Sequence, residues 1–256
     1  MSADDLATST TDSPAPGDRV LLGQTVLVIG GSSGIGLQTA RLARAQGADL
    51  ILTARSPDRL HRVGLQLKAS IAAFDATDFH RLQRFFDALS TPIDHLLVTG
   101  PGPCHKPLAA VDLDAAHRDI DAQLLLPLQI ARHAASKLRP PGTLLFLSVG
   151  DRRPAPGRSL PSALTAALST LTRNLALELA PVRVNLIAAG LIDPPLSASL
   201  LDDQLEARRE QLRTTLPIGR VVGPTDIAAL ALHLMTNTAV TGATYDIDGG
   251  QQLIEH

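Results

Sequence analysis

Short apolar runs alternate with longer amphipathic ones along this chain, and that rhythm restricts the possible fold more than any other feature. The apolar runs are Thr25–Ile29, Leu50–Thr53, Ser70–Phe74, Leu96–Thr99, Thr143–Ser148, Arg183–Ala188 and Ala243–Ile247. Several are unbroken Val/Leu/Ile stretches, as strands buried on both faces require. Helical periodicity begins between them near Gly34, Pro57, Asp78, Ala115, Pro161, Leu196 and Pro224. This predicts an α/β fold, a doubly wound parallel sheet with helices on both faces, in one domain over residues 20–256. Aromatic residues are only 2% of the chain, so Leu, Val, Ile and Ala must fill the core. Residues 1–19 are polar and are expected to form a disordered or loosely held extension. Residues 191–223 are rich in charge and proline and are expected to form a helical lid.

The formal net charge of −2 argues against nucleic acid or an anionic membrane surface as a partner. Cys104 is the single cysteine, which excludes an internal disulfide and fits a reducing compartment. No stretch of about 18 apolar residues could span a bilayer. The first residues have neither the basic start nor the apolar run of a signal peptide. A cytoplasmic location is the expectation.

The first strand runs directly into Gly30-Gly31-Ser32-Ser33-Gly34-Ile35-Gly36 and then into a helix. Backbone without side chains can turn tightly and approach a pyrophosphate, and the helix N-terminus offers free N–H groups to its charge. GGSSGIG resembles the glycine motif of the short-chain dehydrogenase/reductase family, with Gly30, Gly34 and Gly36 at the three glycine positions. Three later segments resemble the same family in order: Phe74-Asp75-Ala76, Val182–Gly190 and Thr241–Gly250. The resemblance covers about residues 21–252 and implies a Rossmann fold. It also implies cofactor contacts from Gly30, Ser32, Ser33, Gly34, Ile35, Gly36, Asp75, Ala76, Thr99, Gly100, Gly190 and Ile192. No metal is implied.

Where NAD-preferring members of that family keep an acidic residue at the end of the second strand, this chain has Ala54 followed by Arg55. A carboxylate would repel a 2′-phosphate, whereas a guanidinium pairs with it. By resemblance, Arg55 marks NADP(H) as the cofactor. The plain alternative is a solvated residue at a helix start.

The same resemblance locates the family's proton chemistry and shows it altered. The family uses a Tyr acid assisted by a Lys four residues later, a Ser at the carbonyl oxygen and an Asn in a water relay. Here Ser148 keeps the Ser position. Pro161, thirteen residues later, occupies the Tyr position, Thr165 the Lys position and Gln123 the Asn position. No shift of alignment restores the pair. Tyr245 is the chain's one tyrosine, and Lys68, Lys106 and Lys137 all precede Ser148. After Gly190, Pro194 stands where the family has a Thr that bonds the nicotinamide carboxamide, leaving Ile192 to do so through its backbone.

Candidate replacements each have a simpler reading. His105, in the loop after the fourth strand, would serve as a proton donor, since imidazoles titrate near neutrality; an exposed loop histidine is the simpler case. Thr165 would bond the nicotinamide ribose, or only its own helix carbonyl. Ser148 would orient substrate, or bond only nearby backbone. Asp151, Arg152 and Arg153 would meet an anionic substrate, or solvent. Cys104 reads as a packing residue. Three functions stay open: an NADP(H)-dependent oxidoreductase with a non-standard site, an NADP(H)-binding pseudoenzyme, and a non-redox enzyme using the same cleft. The small-residue helix from Pro161 to Ala180, with the one spanning Ala115–Leu138, implies a homodimer or homotetramer by resemblance.

Overall fold

A computed structural model describes residues 19–100, 102, 105–150, 155–190 and 202–254. Among them the chain runs β1 (Thr25–Ile29), α1 (Gly34–Ala45), β2 (Asp49–Ala54), α2 (Pro57–Leu67), β3 (Ser70–Ala73), α3 (Phe79–Ala88) and β4 (Ile93–Val98). It continues with α4 (Leu113–Ile120), α5 (Leu126–Ala134), β5 (Leu138–Val149), α6 (Ser159–Glu178), β6 (Arg183–Ala189), α7 (Asp202–Thr215), α8 (Pro224–Thr236) and β7 (Thr244–Ile247). The strands form one sheet in the order β3-β2-β1-β4-β5-β6-β7. Every adjacent pair is parallel. Strand order reverses between β1 and β4, which opens a crevice at the carboxyl ends of the strands, where folds of this type bind ligands.

Alternation along each strand divides the core in two. Leu27, Ile29, Leu96, Val98, Leu144 and Phe146 point to the face covered by α3, α5 and α6. Val26, Val28, Leu52, Leu97, Leu145 and Ile187 point to the face covered by α1, α2 and α8. These central strands are buried on both faces, which is why they lack polar alternation.

The boundaries depart from expectation in four places. The helix expected across Ala115–Leu138 is broken: a π-helical turn at Asp121–Leu125 separates α4 from α5, and Leu138 already belongs to β5. Pro127 supplies the reason. It has no N–H to give the Gln123 carbonyl four residues back, and its ring crowds that carbonyl, so the turn widens. β5 also starts earlier than Thr143, at Leu138, because Leu138 pairs with Ile93 and the register then shifts around the two prolines. Third, α6 begins at Ser159, so Pro161 sits within its first turn, where a missing N–H costs little. Thr99 lies just past β4, though its N–H still bonds the Ile29 carbonyl at 2.9 Å. The helix start expected at Leu196 falls outside the described residues, as does the expected extension up to residue 18.

A buried polar row closes the opposite, amino end of the sheet. His95, Thr143 and Arg183 stand side by side on β4, β5 and β6. His95 Nε2 lies 2.6 Å from Gln24 Oε1. The Arg183 guanidinium donates to Thr143 Oγ1 and to the carbonyls of Leu234 (2.7 Å) and Met235 (2.8 Å). Those carbonyls end α8, so the buried cation meets the negative end of a helix dipole. Beside this row, Asp94 accepts from the Thr25 N–H at 2.8 Å.

Candidate active site

The glycine-rich turn is shaped by close packing as much as by flexibility. Gly30 has φ +87°, and a Cβ there would stand 2.2 Å from Thr99 Oγ1. A Cβ on Gly36 would stand 2.4 Å from the Gly30 carbonyl oxygen. The Thr99 hydroxyl donates to the Ile29 carbonyl at 3.0 Å and holds the loop against the end of β4. Gly34 is different: its φ is +53° with open space around its missing side chain. Ser33 is the N-cap of α1 but makes no side-chain capping bond, and no acidic residue occupies the first turn. The N-terminus of α1 is thus a positive dipole end with neither a side-chain cap nor an acidic residue in its first turn. Ser32 is buried within that loop, and Ser33 is exposed at its rim.

Arg55 follows the last residue of β2 and is exposed, and it forms no ion pair among the described residues. Asp75 lies beyond β3, where its Oδ1 accepts from the Thr77 N–H (3.0 Å) and hydroxyl (2.8 Å). That turn fixes the carboxylate, and Asp75 is exposed. Ala76 packs against the core. Glycine loop, Arg55 and Asp75 all sit at the carboxyl edge of β1, β2 and β3. The open space at Gly34, the uncapped helix end and the exposed guanidinium together fit the phosphates of a dinucleotide.

The other half of the crevice is built by β4 to β7. Ser148, near the end of β5, is 5% exposed and points to the α6 face. Its Oγ lies 3.1 Å from Thr165 Oγ1, and Thr165 Oγ1 donates to the Pro161 carbonyl at 3.1 Å. A threonine hydroxyl has one proton. With that proton on the Pro161 carbonyl, Thr165 accepts from Ser148, and the Ser148 proton is also committed. The pair therefore presents lone pairs to the crevice, and the chain of hydroxyls ends on a carbonyl that cannot release a proton. Thr165 does bond its helix carbonyl, as its plain alternative has it, while Ser148 bonds Thr165 and, among the described residues, no backbone group. The Pro161 ring is buried in the first turn of α6. Ser162 Oγ is buried without a hydrogen-bond partner.

Gln123 lies in the π-helical turn and lines a cavity of about 20 Å³ with Thr99, Gly100, Phe146 and Leu168. That is room for one water-sized group. His105 is exposed, and its Cε1 lies 4.0 Å from where a Gly150 Cβ would stand. The loop after β4 therefore comes to the end of β5, two residues beyond Ser148. Gly190, at the end of β6, is buried tightly: a Cβ there would meet Asp248 Cβ at 2.5 Å and Gln251 Oε1 at 2.6 Å. Ile192, Asp151, Arg152, Arg153 and Cys104 lie outside the described residues.

Asp248 and Gln251 escaped the reading of the sequence. Asp248 Oδ1 accepts from the Gly250 N–H (2.9 Å), and Oδ2 accepts from the Gln252 side chain (2.9 Å). With Gly150 and Gly190 they line a second small recess at the carboxyl ends of β5 and β6. The signal was present, since a carboxylate and an amide flank two glycines at a strand end, but it was read only as a strand terminus.

Comparison with known proteins settles the family. A family model described as enoyl-(acyl carrier protein) reductase matches residues 29–252. The chain belongs to the short-chain dehydrogenase/reductase family. It is similar to the short-chain dehydrogenase/reductase malC of Malbranchea aurantiaca, 27% identical over 254 residues, 91% of this chain and 96% of malC. It is 30% identical to 3beta-hydroxysteroid dehydrogenase 1 of Eggerthella lenta over 251 residues, 91% of this chain and 95% of that one. The solved structure of MalC reductase/Diels-Alderase superposes with a TM-score of 0.83 at 27% identity, covering 92% of this chain and 99% of that chain. A small-chain dehydrogenase in complex with NADPH gives 0.76 at 26% identity, covering 90% and 99%. The seven-stranded parallel sheet is the Rossmann sheet of this family, and the chain is one of its oxidoreductases. Among the described residues, no group of His, Cys, Asp and Glu is arranged to hold a metal, and no helix is long and apolar enough to cross a membrane.

Proposed function

We propose that this short-chain dehydrogenase/reductase binds NADP(H) and reduces a small carbonyl compound, or oxidises the matching alcohol, through a non-standard site. The observation that carries the cofactor choice is Arg55, exposed and unpaired at the end of β2 beside Ala54. The loop from Gly30 to Gly36 and the end of α1 would hold the pyrophosphate, Arg55 the 2′-phosphate, and Asp75 with Ala76 the adenine. Thr99, Gly100, Gly190 and Ile192 would border the nicotinamide. When bound, the cofactor supplies or accepts hydride. The NADPH held by a structural relative supports the same choice.

In this reading Ser148 accepts a hydrogen bond from the alcohol form of the substrate, since its own proton is directed to Thr165. Gln123 lines the space behind it. The residues 191–223, including α7, would close over the substrate as a lid. Leu113 (71% exposed) on α4 and Leu177 (80% exposed) on α6 leave apolar surface on the helices expected to pair in a homodimer or homotetramer.

Fluorescence titration tests the cofactor assignment. NADPH should bind at least about ten-fold tighter than NADH, because one charge-assisted pair can supply that much. Equal affinities would overturn it. A second reading is favoured by the MalC likeness, whose description joins reduction with a Diels–Alder activity. A cycloaddition transfers no proton, so it has no need of the Tyr and Lys that this chain lacks. Product formation without loss of NADPH absorbance would favour that reading.

A further inference from the structure

We propose that His105 is the proton donor of this site, delivering to the substrate oxygen that ends as a hydroxyl on Ser148. The inference rests on the carbonyl-reduction reading above. It begins from the Ser148–Thr165–Pro161 hydrogen bonds: when Thr165 donates to the Pro161 carbonyl, neither hydroxyl has a proton to give.

Several other proton-bearing side chains are placed away from Ser148; Lys106, the neighbour of His105, is exposed with its backbone packed on Gly157. Tyr245 pairs in register with Ile187 on β6 and packs with it on the α1/α8 face, whereas Ser148 points to the α6 face. Lys68 caps the end of α2, just before β3 begins. Lys137 precedes β5, and its Nζ donates to the Leu89 carbonyl at 2.8 Å. Both lysines are thus at the amino end of the sheet, a full strand length from Ser148. Asp248 is held by the Gly250 and Gln252 amides.

His105 is placed otherwise. Its ring lies against Gly150, and the next residue packs on the far side of the β5–α6 connection, where a Gly157 Cβ would meet the Lys106 carbonyl carbon at 3.2 Å. His105 and Lys106 thus meet the chain at Gly150 and Gly157, and the imidazole lies beside a residue two positions beyond Ser148. A Cβ at Gly150, whose φ is +148°, would stand in van der Waals contact with that ring. The step balances simply. As the carbonyl carbon accepts hydride, the π pair moves to oxygen and takes a proton from the imidazolium N–H. The exposed imidazole regains a proton from water.

Two measurements test this. In ¹H–¹³C spectra the His105 ring signal, assigned by its loss in His105→Gln, should shift on adding NADP⁺. It should stay in place on adding adenosine 2′,5′-bisphosphate, which lacks the nicotinamide. A ring signal that ignores both, or answers both equally, overturns the proposal; unmoved Gly30–Gly36 amides would instead overturn cofactor binding. Second, with NADPH and 9,10-phenanthrenequinone as the carbonyl probe, His105→Ala should lose about 100-fold in rate. Its NADPH affinity should be unchanged, and added imidazole should restore part of the rate. A wild-type rate in His105→Ala overturns the proposal alone. No carbonyl turnover by the unmodified protein overturns the reduction reading and the proposal with it.

Discussion

Ser148 Oγ and Thr165 Oγ1 lie 3.1 Å apart, and Thr165 Oγ1 also donates to the Pro161 carbonyl at 3.1 Å. By the resemblance Pro161 and Thr165 stand at the positions of the family's acid and lysine; with Thr165 donating to the Pro161 carbonyl, the serine's proton goes to Thr165. Replacing both, Pro161→Tyr with Thr165→Lys, supplies an acid and frees Ser148 to donate. The double variant should reduce a carbonyl probe with NADPH at least about 100-fold faster than the parent, the usual worth of a general acid. Either single change should gain little. If the double variant gains nothing, the site differs by more than its proton source.

The packing of Gly36 on the Gly30 carbonyl gives a second expectation. A Gly36→Ala Cβ has backbone 2.4 Å away, so the loop must shift. NADPH binding should weaken by more than about ten-fold, with a loss of stability of about 1–3 kcal/mol, typical of overpacking. Calorimetric titration and thermal unfolding measure both. Gly34→Ala meets no atom but needs a strained φ, so it should cost stability while clashing with nothing.

Arg55 makes no ion pair among the described residues, so its removal should leave the fold undisturbed. Arg55→Ala should weaken NADPH binding by about ten-fold and leave NADH binding as it was. A variant that weakens both cofactors equally would place Arg55 on the common part of the nucleotide. Unfolding by urea should match the parent within about 0.5 kcal/mol.

His95 predicts an acid-sensitive term in stability. Burial lowers its pKa from 6.5 to about 4, with the Arg183 guanidinium adding to the shift and Asp94 opposing it. Between those two pH values the unfolded chain binds a proton that the folded chain refuses. Stability is therefore lost as pH falls from about 6.5 to about 4 and levels off below. The full difference corresponds to about 3 kcal/mol. Urea unfolding at pH 7 and pH 4 should show the parent losing about that much more than His95→Gln. Equal losses would mean that His95 does not stay neutral in the folded protein.

The sequence made some of this legible and hid the rest for identifiable reasons. The central strands β1, β4 and β6 could be read because a parallel strand buried on both faces must be a continuous apolar run. The phosphate loop could be read because Gly30 and Gly36 are required by contacts within a few residues and by Thr99. The break between α4 and α5 was obscured because Pro127 sits inside an otherwise good helical pattern. The role of Arg183 was hidden entirely, since its partners lie on α8, about fifty residues away. The Ser148–Thr165 bond was invisible for a related reason. Residue types place both hydroxyls on facing elements, but only the structure brings them to 3.1 Å of each other.

The division of the crevice has a consequence for how this molecule can change. Everything proposed to grip the phosphates and adenine, from Gly30 to Ala76, comes from one unbroken stretch of β1, β2, β3 and their helices. The opposite half is gathered from β4, the π-helical turn, β5, α6 and β6, segments that share no local sequence. A substitution at Pro161 or Thr165 therefore leaves the first stretch untouched. One half works as a fixed socket and the other as an exchangeable tool, so new chemistry can be written into the second without relearning how to hold the nucleotide.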